Sequence, residues 1–564
     1  MKRTWWKDAA VYQIYPRSFH DSNGDGIGDL RGIIQKLDYL QQLGISVVWL
    51  CPFFQSPNDD NGYDISDYCA ILPEFGTMAD VAELIAGMHA RGIKLLMDLV
   101  VNHTSDEHPW FVAARSSKDN PYRDFYIWRP GKDGAEPNNW QSYFGGSAWE
   151  YDAATGEYYL HLFSKKQPDL NWDNPAVRAE VYKIMRWWLA KGIDGFRLDA
   201  INFISKAAGL PDGPVVTPTR YQSGEPHFAF GPRFLEFMKE MNKEVLAHYD
   251  VMTVAEAALV TPEQAIALTN ETDGPLSMVF QFDHLYLDMD FKSSAPKWST
   301  VPWSVVAFKE VMTRWQKAME NNGWNSVYLT NHDVPRAVSR FGDDKRYWQE
   351  SAKLLATLTF TLQGTPYVYQ GEEIGMTNAG YTAIDDYRDV DALNMYRLAM
   401  AEPGADEAQI LTQLQLKGRD NARTPMQWDA SPNAGFTTGT PWIKVVPNYT
   451  QINVAAELED SNSIFCYYQR LLALRKAYPE FVYGTYDLLL PDDPDLYVYT
   501  RILDDNRLLT ILNFGAKTPT FVLPAGVKYA QAELLISNYV VADRESGPQR
   551  IELRPYEARV YRLL

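Results

Sequence analysis

Three kinds of residue are scarce in this chain, and each scarcity excludes something. Only 3 cysteines (Cys51, Cys69 and Cys466) occur in 564 residues, with neither the even count of a disulfide framework nor a metal-ligand spacing. They read as buried thiols of a reducing compartment, so a cytoplasmic protein is expected. Long apolar runs are missing: MKRTWWKDAAVYQIYP opens on two basic residues but carries no signal-peptide core, and no later stretch is apolar enough to span a bilayer. Positive charge is short, with 53 Lys and Arg against 72 Asp and Glu, a net charge of −19. That balance argues against nucleic acid and against an anionic membrane as partners.

What is present is ordinary for a globular chain, with 46% hydrophobic and 22% charged residues. The length exceeds a single core and points to two or three domains. Aromatics are plentiful, including 17 Trp and 34 Tyr. They serve a large core, with the margin left for rings that line a sugar site.

Eight short apolar runs recur: 10–16, 46–52, 94–103, 194–200, 251–257, 278–283, 325–333 and 365–373. Amphipathic stretches such as 30–44, 78–92 and 177–192 lie between them, each ending in Gly at a helix C-cap position. Strand and helix alternating eight times predict an α/β fold, a closed (β/α)8 TIM barrel rather than an open sheet. Residues 104–172, rich in Trp, Tyr, Gly, Asn and Pro, are too long for a simple loop and read as a subdomain inserted after strand three. A second insertion is expected over roughly 374–461. Alternating segments after 482 predict a C-terminal antiparallel β domain, 483–564, leaving 1–103 and 173–482 to the barrel.

Polar groups are costly inside apolar strands, and here they gather at the ends where barrel enzymes keep their chemistry. Strand three ends in Asp98, Asn102 and His103; strand four carries Arg197 and Asp199, strand five Glu256, and strand seven His332 and Asp333. Arg197 and Asp199, two apart, point to one side, so the guanidinium is expected to hold Asp199 ionised as a nucleophile. Glu256, among apolar neighbours in VMTVAEAA, is expected to stay protonated as a general acid. Such a pair fits glycoside hydrolysis, retaining if the carboxyls stand about 5–5.5 Å apart. Any one of these acids alone could equally be a buried ion pair or a helix cap. A metal-dependent hydrolase would want a tighter His cluster, and no H-x-H pair occurs.

DLVVNH (98–103), GFRLDAINF (195–203), VAEA (254–257) and LTNHD (329–333) resemble the four signature regions of the α-amylase family of glycoside hydrolases. QPDLNW (167–172) is similar to a further motif of its oligo-1,6-glucosidase-like members, and the likeness runs from AVYQIYPRSF through GRDNARTPMQW (418–428) to the C-terminal domain. The resemblance implies Asp199 as nucleophile, Glu256 as acid/base and Asp333 as the third carboxylate gripping the sugar hydroxyls. It implies that His103, His332 and Arg197 bond the same ring or orient the acids. Asp60 and Tyr63 would close the pocket around the non-reducing glucose, with Arg419 pairing Asp60, which means exo action on a small oligosaccharide.

Phe144, Phe163 and Phe282 are candidate aromatic walls or ordinary core. Gln167 either reaches the sugar or fixes the insertion against the barrel. In DSNGDGIGD, residues Asp21, Asn23, Asp25, the Ile27 carbonyl and Asp29 offer oxygens at alternate positions, like the first part of a calcium loop without its distal Glu. The resemblance implies a structural Ca²⁺ there and no organic cofactor; the other reading is a tight Asx/Gly turn. A monomer or weak homo-oligomer is expected.

In this family the residue after the nucleophile follows linkage, and Ala200 leans toward α-1,4 bonds such as those of maltose. The alternatives are α-1,6 hydrolysis of isomaltose and trehalose-6-phosphate hydrolysis, with transglucosylation accompanying either. The arginine-rich loop of sucrose isomerases is replaced here by RFGDDKRYW (340–348). A non-catalytic transporter heavy chain would have lost the carboxylates this chain keeps.

Overall fold

A computed structural model describes residues 1–216, 218–293, 295–542 and 547–564. Eight parallel strands form one sheet: β1 (Val11–Ile14), β2 (Val47–Leu50), β3 (Lys94–Val100), β4 (Gly195–Asp199), β5 (Met252–Glu256), β6 (Met278–Phe280), β7 (Ser326–Val327) and β8 (Thr365–Tyr369). Their order is β6-β5-β4-β3-β2-β1-β8-β7. A Val279–Asn325 bridge and the Ser326 hydroxyl donating to the Val279 carbonyl join the two ends, so the sheet closes into a barrel. The helices that wrap it include α1 (Leu37–Leu43), α2 (Met78–Ala90), α3 (Pro175–Leu189), α4 (Phe234–Glu244), α5 (Pro262–Thr269), α6 (Val305–Met319), α7 (Trp348–Thr361) and α8 (Ile464–Ala477).

The strands are buried on both faces, as a barrel under helices demands, which is why they read as continuous apolar runs. Caps set the helix starts: Thr77 and Asp80 form a reciprocal capping box on α2, and Thr261 with Gln264 does the same on α5. Strand seven is shorter than its apolar run because the chain turns outward after Val327, with the Thr330 hydroxyl bonding the Pro335 carbonyl.

Register places the chemistry. Asp98 on β3 pairs with Arg197 on β4, and Arg197 with Val254 on β5, so Val100, Asp199 and Glu256 share the next row up. The strands meet tightly at Gly195, where an added Cβ would sit 1.8 Å from the Met252 carbonyl oxygen; with φ +152° besides, only glycine fits.

Within 104–172 an antiparallel sheet of Trp128–Arg129, Glu157–Leu160 and Trp149–Asp152 stands over the barrel mouth. Bridges His103–Asp169 and Tyr126–Leu170 anchor it to the end of β3. After β8 the chain makes helices Val390–Met400 and Glu407–Lys417 before the turn Asp420–Arg423. The last strands form a five-stranded antiparallel sheet, Thr485–Leu489, Leu496–Leu503, Asn506–Asn513, Ala558–Leu563 and Ala532–Ser537 in spatial order. It packs on α6 and α7 through Phe308, Leu354 and Leu358 against Tyr486, Tyr497 and Tyr499.

In the loop 21–29 the backbone N–H groups of Asn23 and Gly24 donate to one Asp21 oxygen and that of Gly26 to the other. Asn23 and Asp25 each accept from the N–H two residues on, while Asp29 caps the following helix through Gly32 and accepts from Ser22. Among the described residues no group of three or more His, Cys, Asp or Glu is gathered as for a metal ion, and no helix is long and apolar enough to cross a membrane.

Candidate active site

The C-terminal end of the barrel opens into a pocket of about 150 Å³. Asp199 and Glu256, each at the end of its strand, and Asp333, in the turn after β7, all line it. Beneath them lies Arg197, 1% exposed, which donates to Asp98 at 2.5 Å and to Asp199 at 2.5 Å, and stands 2.8 Å from Glu256. The same Glu256 oxygen accepts the Ala200 N–H at 2.8 Å. Ala200 adopts φ 40° and ψ 30° to aim that N–H, a left-handed conformation uncommon outside glycine.

Arg197 was expected to hold Asp199 low. Instead burial, reinforced by Asp98, outweighs it, and the Asp199 carboxyl is pushed up to about 7. The physical reason is division: one guanidinium serves three carboxylates, which fully ionised would leave two uncompensated negative charges in a dry site. Burial likewise pushes Glu256 up to about 7, with Arg197 opposing and the Asp199 charge adding to it. The cluster therefore holds a proton near neutral pH, and the two facing carboxyls titrate as a pair.

Asp333 is the opposite case. Burial would raise it, but His332, Arg419 and Arg423 outweigh burial and hold it well below the usual carboxylate range. Arg423 lies 2.8 Å and Arg419 3.2 Å from one oxygen, and His332 Nε2 lies 3.2 Å from the other. The Gln13 amide meets His332 Nδ1 at 2.8 Å, which leaves the hydrogen on Nε2 to face Asp333. Burial pushes the pKa of that imidazole down, against the pull of Asp333.

One end of the pocket is sealed. Arg419 donates to Asp60 at 2.9 Å and forks onto the fully buried Asp389, which also takes Arg423 at 3.2 Å. Gln167 ties Asp60 to the Tyr63 carbonyl and lies 3.2 Å from His103. It is completely buried behind the pocket wall, where it links the insertion to the barrel. Arg197 and His332 likewise lie behind the wall, and Tyr63 lines it, stacked on His332 with ring centres 5.0 Å apart. His103 lines it too, its Nε2 donating to the Tyr63 carbonyl. Phe144, Phe163 and Phe282 all face the pocket, Phe144 under the Arg419 guanidinium at 4.9 Å.

Sequence reasoning missed Asp389 and Arg423, which complete the sealed end, and Tyr143, Asn202, Phe203 and Ala258, which line the side beyond Glu256. Arg423 stands in the GRDNAR stretch, four residues from Arg419, and that spacing was a usable signal. Asp389 and Tyr143 come from the two insertions, whose docking no local pattern announces.

Strand-end carboxylates over a closed barrel, one pair sharing a cation and one acid held ionised, define a hydrolase of glycosidic bonds. The sequence profile of the alpha amylase catalytic domain matches residues 13–484, and the chain belongs to the α-amylase family of glycoside hydrolases. It is 62% identical over 563 residues to an oligo-1,6-glucosidase of Parageobacillus thermoglucosidasius, covering 100% of both chains. It is 58% identical to the oligo-1,6-glucosidase of Bacillus cereus over 565 residues, again 100% of both. The solved trehalose-6-phosphate hydrolase of Bacillus licheniformis superposes with a TM-score of 0.95 at 50% identity, covering 100% of both.

Proposed function

We propose that this hydrolase is a retaining, exo-acting α-glucosidase that releases glucose from the non-reducing end of isomaltose and short isomalto-oligosaccharides. The observation that carries exo action is the Asp60–Arg419 pair, which blocks the pocket beyond the glucose that the three acids would surround. Asp199 attacks the anomeric carbon while Glu256 gives its proton to the departing glycosidic oxygen, leaving a glucosyl ester on Asp199. Water then loses a proton to the Glu256 carboxylate and attacks the same carbon, returning Asp199 and freeing α-glucose. Asp333, held ionised, binds the ring hydroxyls as positive charge builds at the anomeric centre. Both reacting carboxyls resting on one guanidinium supports the short separation that retention uses.

The α-1,4 lean drawn from Ala200 is not supported, because relatives 62% and 58% identical over the whole chain are named for α-1,6 bonds. The physical reason is modest leverage: Ala200 is 4% exposed and contributes one methyl to a wall that Tyr143, Asn202, Phe203, Ala258 and Phe282 also build. Trehalose 6-phosphate is disfavoured by charge. The polar lining includes Asp60, Asp199, Glu256 and Asp333, and its one arginine is already engaged by carboxylates. The deciding experiment compares kcat/KM on isomaltose, maltose and trehalose 6-phosphate. Preference for isomaltose supports this reading; preference for either other sugar replaces it.

We also infer a structural Ca²⁺ in the loop 21–29, whose Asp21, Asn23, Asp25 and Ile27 supply the hard oxygen donors such an ion takes, at alternate positions. Both oxygens of Asp21 and both of Asp29 already accept from the loop's own donors, so the ion would compete with those bonds. A lower melting temperature after chelation, restored by Ca²⁺, is the expected result. A cytoplasmic location belongs to the same reading and rests on three unpaired thiols.

A further inference from the structure

Beside Asp333 the plane of the His332 imidazole is set by packing. Its ring lies within 8° of parallel to Tyr63 at 5.0 Å and within 20° of Tyr15 at 6.1 Å. Stacking fixes a ring's plane but not which edge points where; that depends on the hydrogen bonds at its two nitrogens. Nε2 stands 3.2 Å from Asp333 but has no aligned partner among the described residues, so the bond at Nδ1 decides.

The partner at Nδ1 is Gln13, 2% exposed on β1, whose amide nitrogen lies 2.8 Å away. A buried carboxamide in an apolar strand needs a use. The same nitrogen donates to Cys51 Sγ at 3.2 Å. The Cys51 thiol in turn bonds the Tyr63 hydroxyl, which donates to Asp98 at 3.2 Å. Directions along this chain are forced. The Asp98 carboxylate, bound by Arg197, accepts, so the tyrosine O–H points at it and the S–H points at the tyrosine oxygen. Sulfur is left to accept one N–H of the amide, and the other faces Nδ1. His332 then carries its hydrogen on Nε2, the side of Asp333.

We propose that Gln13 is a positioning residue: standing at the end of a one-way hydrogen-bond chain from Asp98, it fixes which edge of His332 faces Asp333. Cys51 acts one step further back, by orienting the amide. The two acid groups of the site, one around Arg197 and one around Asp333, are thereby tied together beneath the glucose. This rests on the catalytic roles proposed above but not on the linkage.

The test begins with nitrogen NMR of labelled histidine, His332 being assigned by its loss in His332→Gln. The wild type should show the hydrogen on Nε2 and a bare Nδ1, and the Nδ1 signal should move in Gln13→Met as it loses its donor. For that variant about a tenfold fall in kcat is expected, with KM within about threefold. The fall should be equal on isomaltose and on α-glucosyl fluoride, because both pass through the same glucosyl centre. Cys51→Ala should give a smaller fall and Cys51→Ser should restore it, which keeps the test open if Gln13→Met folds poorly. A hydrogen on Nδ1 in the wild type, or an Nδ1 signal unmoved by Gln13→Met, overturns the assignment. So does a kcat within about twofold of wild type in both Gln13→Met and Cys51→Ala. If the wild type prefers maltose, the linkage reading alone fails and the same losses are read on maltose.

Discussion

Arg197 is shared by Asp98, Asp199 and Glu256, and that sharing explains why the acids behave as a group. Removing the Asp199 charge removes a cause of the raised Glu256 pKa, so Asp199→Asn should shift the Glu256 carboxyl downward from about 7, readable by carbon NMR of labelled glutamate. The same variant should lose about 10⁴-fold in kcat with its circular dichroism unchanged. In the proposed mechanism the productive form has Glu256 protonated and Asp199 ionised. Activity should therefore follow a bell in pH, falling on the alkaline side as the pair loses its shared proton and on the acid side as it takes up a second. That the three carboxylates would meet in one pocket was legible in sequence, because a carboxylate within an apolar strand needs a reason. The direction of the Asp199 shift was not, since a third claimant on Arg197 becomes visible only when β3 and β4 lie in register.

At the scale of elements, the loop carrying Asp60 and Tyr63 is organised by a neighbour with no cation of its own. Asp64 accepts the N–H groups of Asp59 and Asp60 and the Ser56 hydroxyl, and burial pushes its carboxyl up to about 7. Asp64→Ala frees those donors, and about a tenfold rise in KM for isomaltose with little change in kcat is expected from steady-state kinetics. The barrel strands announced themselves by apolar runs of fitting length. The excursions did not, because Asp389 reaches Arg419 only through the placement of the second insertion, where it caps Val390–Met400. Gln167 shows the same limit: its motif was readable, while its side chain's direction depended on where Asp60 and His103 came to rest.

At the scale of the molecule, barrel and C-terminal sheet are joined by polar groups as well as by rings. Buried Arg501 donates to the carbonyls of Thr361, Phe481 and Gly484, and Lys309 on α6 donates to those of Leu490, Asp493 and Leu496. Arg501→Met strands the first set, and a melting temperature lower by about 5 °C is expected from calorimetry. The antiparallel domain was legible from its alternation, but no sequence pattern marks an arginine as a link between domains.

The sealed end of the pocket has a bearing on traffic as well as on recognition. With Asp60 and Arg419 locked together, that end of the pocket is closed, and on the exo reading proposed above substrate and products share the mouth. On that reading the aglycone departs before water enters, the freed glucose departs last through the opening the next substrate needs, and each encounter removes a single sugar and lets the remainder go. Accumulating glucose should slow the enzyme by occupying the place of the incoming chain, so that the enzyme throttles itself as its own product builds up.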